Sequence, residues 1–116
     1  MGALADGALE AGGKVIGVMP RFLDYKELVH KGLDELIWTE DMHERKHRML
    51  SLSDGVIALP GGFGTMEEMF EVLTWGQLGL HGKPVALLNH KGYYDHLLTF
   101  LDNSVKTGFL KQGNRD

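Results

Sequence analysis

Short apolar runs alternate with amphipathic stretches along the whole chain. Leu4, Ala8 and Ala11 recur at helical spacing over Met1 to Ala11, and Gly12-Gly13 closes that segment. Val15-Ile16-Gly17-Val18-Met19 is uninterrupted apolar sequence halted by Pro20, which predicts a buried strand. Residues 22–32 are mixed and partly helical in pattern. Residues 35–39 read as a strand, 41–53 as a helix, 56–59 as a strand, 66–80 as a helix, 84–89 as a strand and 93–106 as a helix. The polar stretch 111–116 reads as a frayed tail beyond a single domain over 1–110. Continuously apolar strands alternating with helices predict an α/β fold with a parallel sheet covered on both faces. A doubly wound sheet ordinarily opens on a strand, whereas this chain opens on a helix, so the pattern predicts that the front of the domain lies upstream of Met1.

Composition narrows the function. The 116 residues are 43% hydrophobic and 24% charged, an ordinary globular balance for one domain. A formal net charge of -4 argues against general binding of nucleic acid or of an anionic membrane. Cysteine is absent, which excludes disulfides and thiolate metal sites. Residues 1–12 contain Asp6 and Glu10 and lack a signal-peptide pattern, and no apolar run is long enough to span a bilayer. A cytoplasmic protein is the expectation.

The candidate chemistry begins at Pro60-Gly61-Gly62-Phe63-Gly64-Thr65, between the strand pattern ending at Leu59 and the helix pattern beginning at Met66. Glycines let the backbone bend so that unpaired N–H groups and the positive end of a helix dipole converge on one anion, most commonly a phosphate. No Lys-Ser or Lys-Thr follows the last glycine, so this is not a Walker loop. Glu67 stands where a dinucleotide fingerprint needs its third glycine. A smaller ligand such as a mononucleotide fits the pattern, and an ordinary strand-to-helix turn is its structural alternative.

Two neighbouring segments carry charge in unusual places. On the 41–53 helix, Arg45 and Lys46 fall within the apolar sector formed by Met42, Met49, Leu50 and Leu52. They either meet anions in a polar pocket or snorkel into water. His43-Glu44-Arg45-Lys46-His47 also matches a zinc-peptidase pattern, but the basic pair opposes a cation and no third ligand follows, so no metal is expected. His30, His81, His90 and His96 read as surface or loop residues. On the next helix, Glu67 shares a polar face with Glu71 and Thr74, while Glu68 borders the glycine loop and Trp75. Glu68 is open to two readings: an acid–base or electrostatic group, or a capping box in which it reaches back to Thr65. Tyr93 and Tyr94 carry no separate functional signal.

Met42-His43-Glu44-Arg45-Lys46 followed by Pro60-Gly61-Gly62-Phe63-Gly64-Thr65-Met66-Glu67-Glu68 resembles the Lonely Guy (LOG) family of cytokinin-activating phosphoribohydrolases, whose members often carry a lysine-decarboxylase label. Leu73-Thr74-Trp75 and the stretch from Gly82 to Tyr94 also look like that family. The resemblance implies a Rossmann-like doubly wound parallel sheet, here lacking its first strand-helix-strand, and a homodimer. It implies release of a free base and ribose 5-phosphate from N6-modified adenosine monophosphates, with no cofactor. By the same resemblance Arg45 and Glu68 are the catalytic pair. Glu27, Lys46, Gly61, Gly62, Phe63, Gly64, Thr65, Met66, Glu67 and Thr74 are the substrate-binding residues. A non-catalytic nucleotide- or molybdenum-cofactor-binding module is the alternative, which retention of Arg45 and Glu68 disfavours. Lysine decarboxylation would need pyridoxal phosphate on a lysine in a larger scaffold, whose surroundings nothing in the sequence supplies.

Overall fold

Apolar strands pair in parallel and alternate with helices, as the sequence pattern predicts. The computed structural model describes residues 1–23 and 30–115. They form two units, Met1–Leu52 and Ser53–Asp116.

In the first unit, helix α1 (Gly2–Glu10) leads to strand β1 (Ile16–Pro20), strand β2 (Glu35–Thr39) and helix α2 (Met42–Leu52). β1 and β2 are parallel, with Ile16 opposite Glu35 and Pro20 opposite Thr39. Asp34 sets that register at the open end: its Oδ2 accepts the Val15 N–H at 2.6 Å, and its own N–H donates to the Val15 carbonyl at 3.0 Å. Pro20, without an N–H, closes β1 as its last residue and is fully buried together with Thr39. His30 ties the segment before β2 back to α1, with Nε2 2.8 Å from Asp6 Oδ1 and Nδ1 accepting the Gly32 N–H at 3.0 Å. The mixed stretch opens with a 3-10 turn at Arg21–Leu23, and Glu27 lies outside the described residues.

The second unit runs from strand β3 (Val56–Ala58) through helix α3 (Phe63–Gln77) and strand β4 (Val85–Leu87) to helix α4 (Asp95–Lys106). β3 and β4 are parallel, with Val56 opposite Val85 and Ala58 opposite Leu87. Ala58, Met69, Val72 and Tyr94 are its buried apolar residues. α3 stops in a Schellman motif: Gly79 adopts φ 75°, the Gly79 N–H donates to the Gly76 carbonyl and the Leu80 N–H to the Trp75 carbonyl. His81 then holds the return to β4. Its Nε2 lies 2.8 Å from the Val72 carbonyl and its Nδ1 accepts the Lys83 N–H at 3.1 Å, an arrangement the neutral Nε2–H tautomer satisfies. His30 and His81 are therefore structural bridges rather than plain surface histidines. Within the polar tail, Gln112–Asn114 form a 3-10 turn and Arg115 pairs with Asp102 at 2.8 Å.

One boundary difference bears on the site. The pattern predicts α3 from Met66, yet the helix starts at Phe63 with Gly62 as its N-cap. Glycine and threonine are weak helix formers, so periodicity does not register them, but a first turn needs few side-chain contacts of its own. Thr65 consequently sits within the first turn rather than at its cap. The capping-box reading of Thr65 and Glu68 is corrected accordingly. Among the described residues, no helix is long and apolar enough to cross a membrane.

Candidate active site

The glycine segment after β3 is the first turn of α3 itself. Its first intrahelical bond runs from the Met66 N–H to the Gly62 carbonyl at 3.1 Å. The N–H groups of Gly62, Phe63, Gly64 and Thr65 precede it and have no place in the helical ladder. They point forward along the helix dipole, which places partial positive charge at the same spot. Gly62, Phe63 and Gly64 are exposed, and Phe63 is 96% exposed, so this end of the helix is open to a ligand.

The glycines differ in what they do. A Cβ at Gly61 would lie on the Thr65 hydroxyl and 2.9 Å from Thr65 Cβ, so only glycine lets the Thr65 side chain fold over the turn. A Cβ at Gly62 or Gly64 would meet nothing within 4 Å, and neither residue has a positive φ. Protein sterics demand glycine at 61, whereas at 62 and 64 it leaves clear space beside the exposed amides.

Two residues that carry no signal in the sequence reach this turn from the loop after β4. Tyr93 Oη donates to the Gly61 carbonyl at 2.9 Å, and Tyr94 Oη donates to the Leu59 carbonyl. Their rings meet edge to face with centroids 5.0 Å apart. Gly61, Gly62, Phe63, Met66, Tyr93, Tyr94 and Leu97 line a cavity of about 320 Å³ there. The tyrosines could have been found by topology: adjacent parallel strands end at the same edge of a sheet, so the loops after β3 and β4 are neighbours.

The 89–95 turn that carries them is itself tightly held. Asn89 Oδ1 accepts the Tyr94 N–H at 2.7 Å, and Asn89 Nδ2 donates to Asp95 Oδ1 at 2.7 Å. Gly92 adopts φ 74°, and a Cβ there would come within 2.5 Å of Asp95 Oδ2. Gly92→Ala is expected to cost about 1–3 kcal/mol through left-handed backbone strain and this collision, measurable by denaturant unfolding.

Tyr94 is only 2% exposed, and burial, with a smaller contribution from Tyr93, raises its hydroxyl above the ordinary phenol value of about 10. The folded state then holds this proton more tightly than the unfolded chain. The resulting stability is fully present below about pH 10 and is lost as pH rises through the folded value. Tyr94→Phe is expected to cost about 1–3 kcal/mol at neutral pH by leaving the Leu59 carbonyl unpaired. It should also remove this component of the alkaline loss, a pair of effects that unfolding curves at several pH values would check.

Glu67 and Glu68 stand in the next turn of α3, Glu67 exposed and Glu68 half-buried. Thr74 lies about 13 Å further along the axis from Thr65. Its hydroxyl donates to the Phe70 carbonyl at 2.7 Å, and it lines a separate, larger cavity of about 440 Å³ with Met69, Leu73, Leu98 and Arg115.

Arg45 and Lys46 belong to the other unit. α2 begins with a reciprocal cap: Asp41 Oδ1 accepts the Glu44 N–H at 2.8 Å, and Glu44 Oε2 accepts the Glu40 N–H at 2.7 Å. Glu44 is thus engaged in starting the helix, while His43 and His47 are exposed. Lys46 is the buried residue of α2, at 6% exposure, whereas Met49 and Leu52 are exposed. A snorkelling lysine would keep its ammonium in water, so that reading is corrected for Lys46. Arg45 is half-buried, and its Nε donates to the Val18 carbonyl of β1 at 3.1 Å. Lys46 is thus more buried than any residue of the apolar stripe, and Arg45 is half-buried like Met42 and Leu50.

A family model described as possible lysine decarboxylase matches residues 1–116. The chain is 52% identical over 115 residues to a cytokinin riboside 5'-monophosphate phosphoribohydrolase of Arabidopsis thaliana, covering 99% of this chain and 50% of that protein. It is 51% identical over 116 residues to the protein of the same name from Rhodococcoides fascians, covering 99% of this chain and 59% of the relative. The chain spans about half the length of the curated relatives it matches.

Proposed function

The chain belongs to the Lonely Guy family, and from that membership we propose that it serves to hydrolyse the N-glycosidic bond of N6-modified adenosine 5'-monophosphates. Water adds at the anomeric carbon, the carbon–nitrogen bond breaks, and the free base and ribose 5-phosphate leave. The observation that carries this reading is the first turn of α3. Its unladdered amides from Gly62 to Thr65 suit a 5'-phosphate, and a half-buried carboxylate, Glu68, follows one turn later. That juxtaposition supports sugar-phosphate chemistry over amino-acid decarboxylation, as do the names of the relatives.

In this reading Gly61 shapes the cradle while Gly62, Phe63, Gly64, Thr65 and Met66 hold the phosphate, chiefly through backbone N–H groups and the Thr65 hydroxyl. Glu68 orients the attacking water or steadies the cationic ribose, as carboxylates do in glycoside hydrolysis. Arg45 pairs with the substrate. Lys46 supplies a cation whose burial would strengthen its pull on an anionic substrate. Glu27, Glu67 and Thr74 complete the binding set. A cytoplasmic homodimer is the proposed working form.

Incubation with isopentenyladenosine 5'-monophosphate tests the reading. It predicts equal amounts of isopentenyladenine and ribose 5-phosphate. Binding without products would instead select a nucleotide carrier.

A further inference from the structure

We infer that Tyr93 is a positioning residue for the phosphate site, acting by fixing which way the Gly61–Gly62 peptide faces; the inference rests on the phosphate-cradle reading. In a trans peptide the carbonyl of one residue and the N–H of the next point in opposite directions. Tyr93 Oη holds the Gly61 carbonyl at 2.9 Å, so the same hydrogen bond aims the Gly62 N–H away from Tyr93. Gly62 is the N-cap of α3, and its N–H is the first of the amides outside the helical ladder.

That peptide is the one in the turn most in need of an external hold. It is flanked by glycine on both sides, so no side chain of its own restricts rotation about the neighbouring bonds. If it turned over, the Gly62 N–H would leave the cradle and the Gly61 carbonyl dipole would take its place, repelling an anion. The next peptides are already set by the helix. Two peptides earlier, the Leu59–Pro60 peptide is held by Tyr94, whose hydroxyl donates to the Leu59 carbonyl. Pro60 itself offers no N–H to a ligand. The two tyrosines therefore divide the work: Tyr94, buried, anchors the end of β3, and Tyr93, 55% exposed, orients the donor peptide.

The loop is built to deliver this contact. Lys91 and Gly92 both take positive φ, 52° and 74°, and the Tyr93 N–H donates to the His90 carbonyl at 3.1 Å. Asn89 bridges Tyr94 and Asp95 across the same turn.

The test is Tyr93→Phe, which keeps the ring and deletes only the hydroxyl. The inference predicts that the dissociation constant for inorganic phosphate rises about 5- to 10-fold, with KM for the monophosphate rising by the same factor, kcat within about twofold and the melting temperature nearly unchanged. Tyr93→Leu, which also loses the ring, should lower the melting temperature, and its phosphate affinity should be no better than that of Tyr93→Phe. Unchanged phosphate affinity in Tyr93→Phe, or a wild-type chain that binds no phosphate, overturns the inference. Phosphate binding that weakens as expected in a chain releasing no base would sustain it while overturning the proposed hydrolysis.

Discussion

Glu68→Gln is expected to lower kcat by about 10²- to 10⁴-fold while leaving the affinity for the monophosphate within a few-fold of wild type. Glutamine has the same length and shape, so packing in the turn after the cradle is preserved. What it lacks is the negative charge that would steady a developing ribosyl cation and the basicity that would orient water. Because Glu68 is half-buried, a charge there is screened less than on the open surface. Steady-state kinetics with a thermal melt on the same sample would separate chemistry from folding. A normal kcat in a normally folded variant would remove Glu68 from the reaction. Arg45→Ala is the less clean companion, since Arg45 also holds the Val18 carbonyl and its loss mixes stability with function.

Gly64→Ala is the second large effect, and its two consequences run in opposite directions. Residue 64 is helical and a Cβ there meets no protein atom within 4 Å, so alanine should stabilise the fold by about 0.5–1 kcal/mol. The same methyl group would occupy space beside the exposed amides where a phosphate has to approach closely. KM for the monophosphate is expected to rise by at least about tenfold, the cost of misplacing a ligand by a methyl radius. Gly61→Ala provides the contrast, because its Cβ strikes Thr65 and should cost both stability and binding. A more stable Gly64→Ala with undiminished affinity would mean that no ligand comes near this turn.

Much of this architecture was readable from the residues. The apolar residues Ile16 to Met19 and Leu36 to Trp38 fall in strands β1 and β2 because short continuous hydrophobic sequence suits a parallel pair. The helix end at Gly12 was legible because left-handed caps favour glycine, whereas the periodic pattern carries α3 past Gly79 to Leu80 although the helix stops at Gln77. What was not legible depended on long-range contacts or on weak formers. Helical periodicity misses the α3 turn from Phe63 to Thr65, although these residues make the site. A helical wheel allowed Arg45 and Lys46 to turn inward but could not decide it, since Met49 and Leu52 compete for the same face and are the ones left exposed. Tyr93 and Tyr94 carried no functional signal in the sequence because their role lies in carbonyls more than 30 residues earlier. Glu44, which the zinc-peptidase pattern would make a base, is instead engaged by its cap with Asp41 and Glu40.

The most direct test is a comparison of kcat/KM for isopentenyladenosine 5'-monophosphate with that for isopentenyladenosine. A phosphate cradle in the first turn of α3 predicts a preference of at least about a hundredfold for the phosphorylated compound, and Gly64→Ala should erode it. Equal turnover of the two compounds would contradict the account.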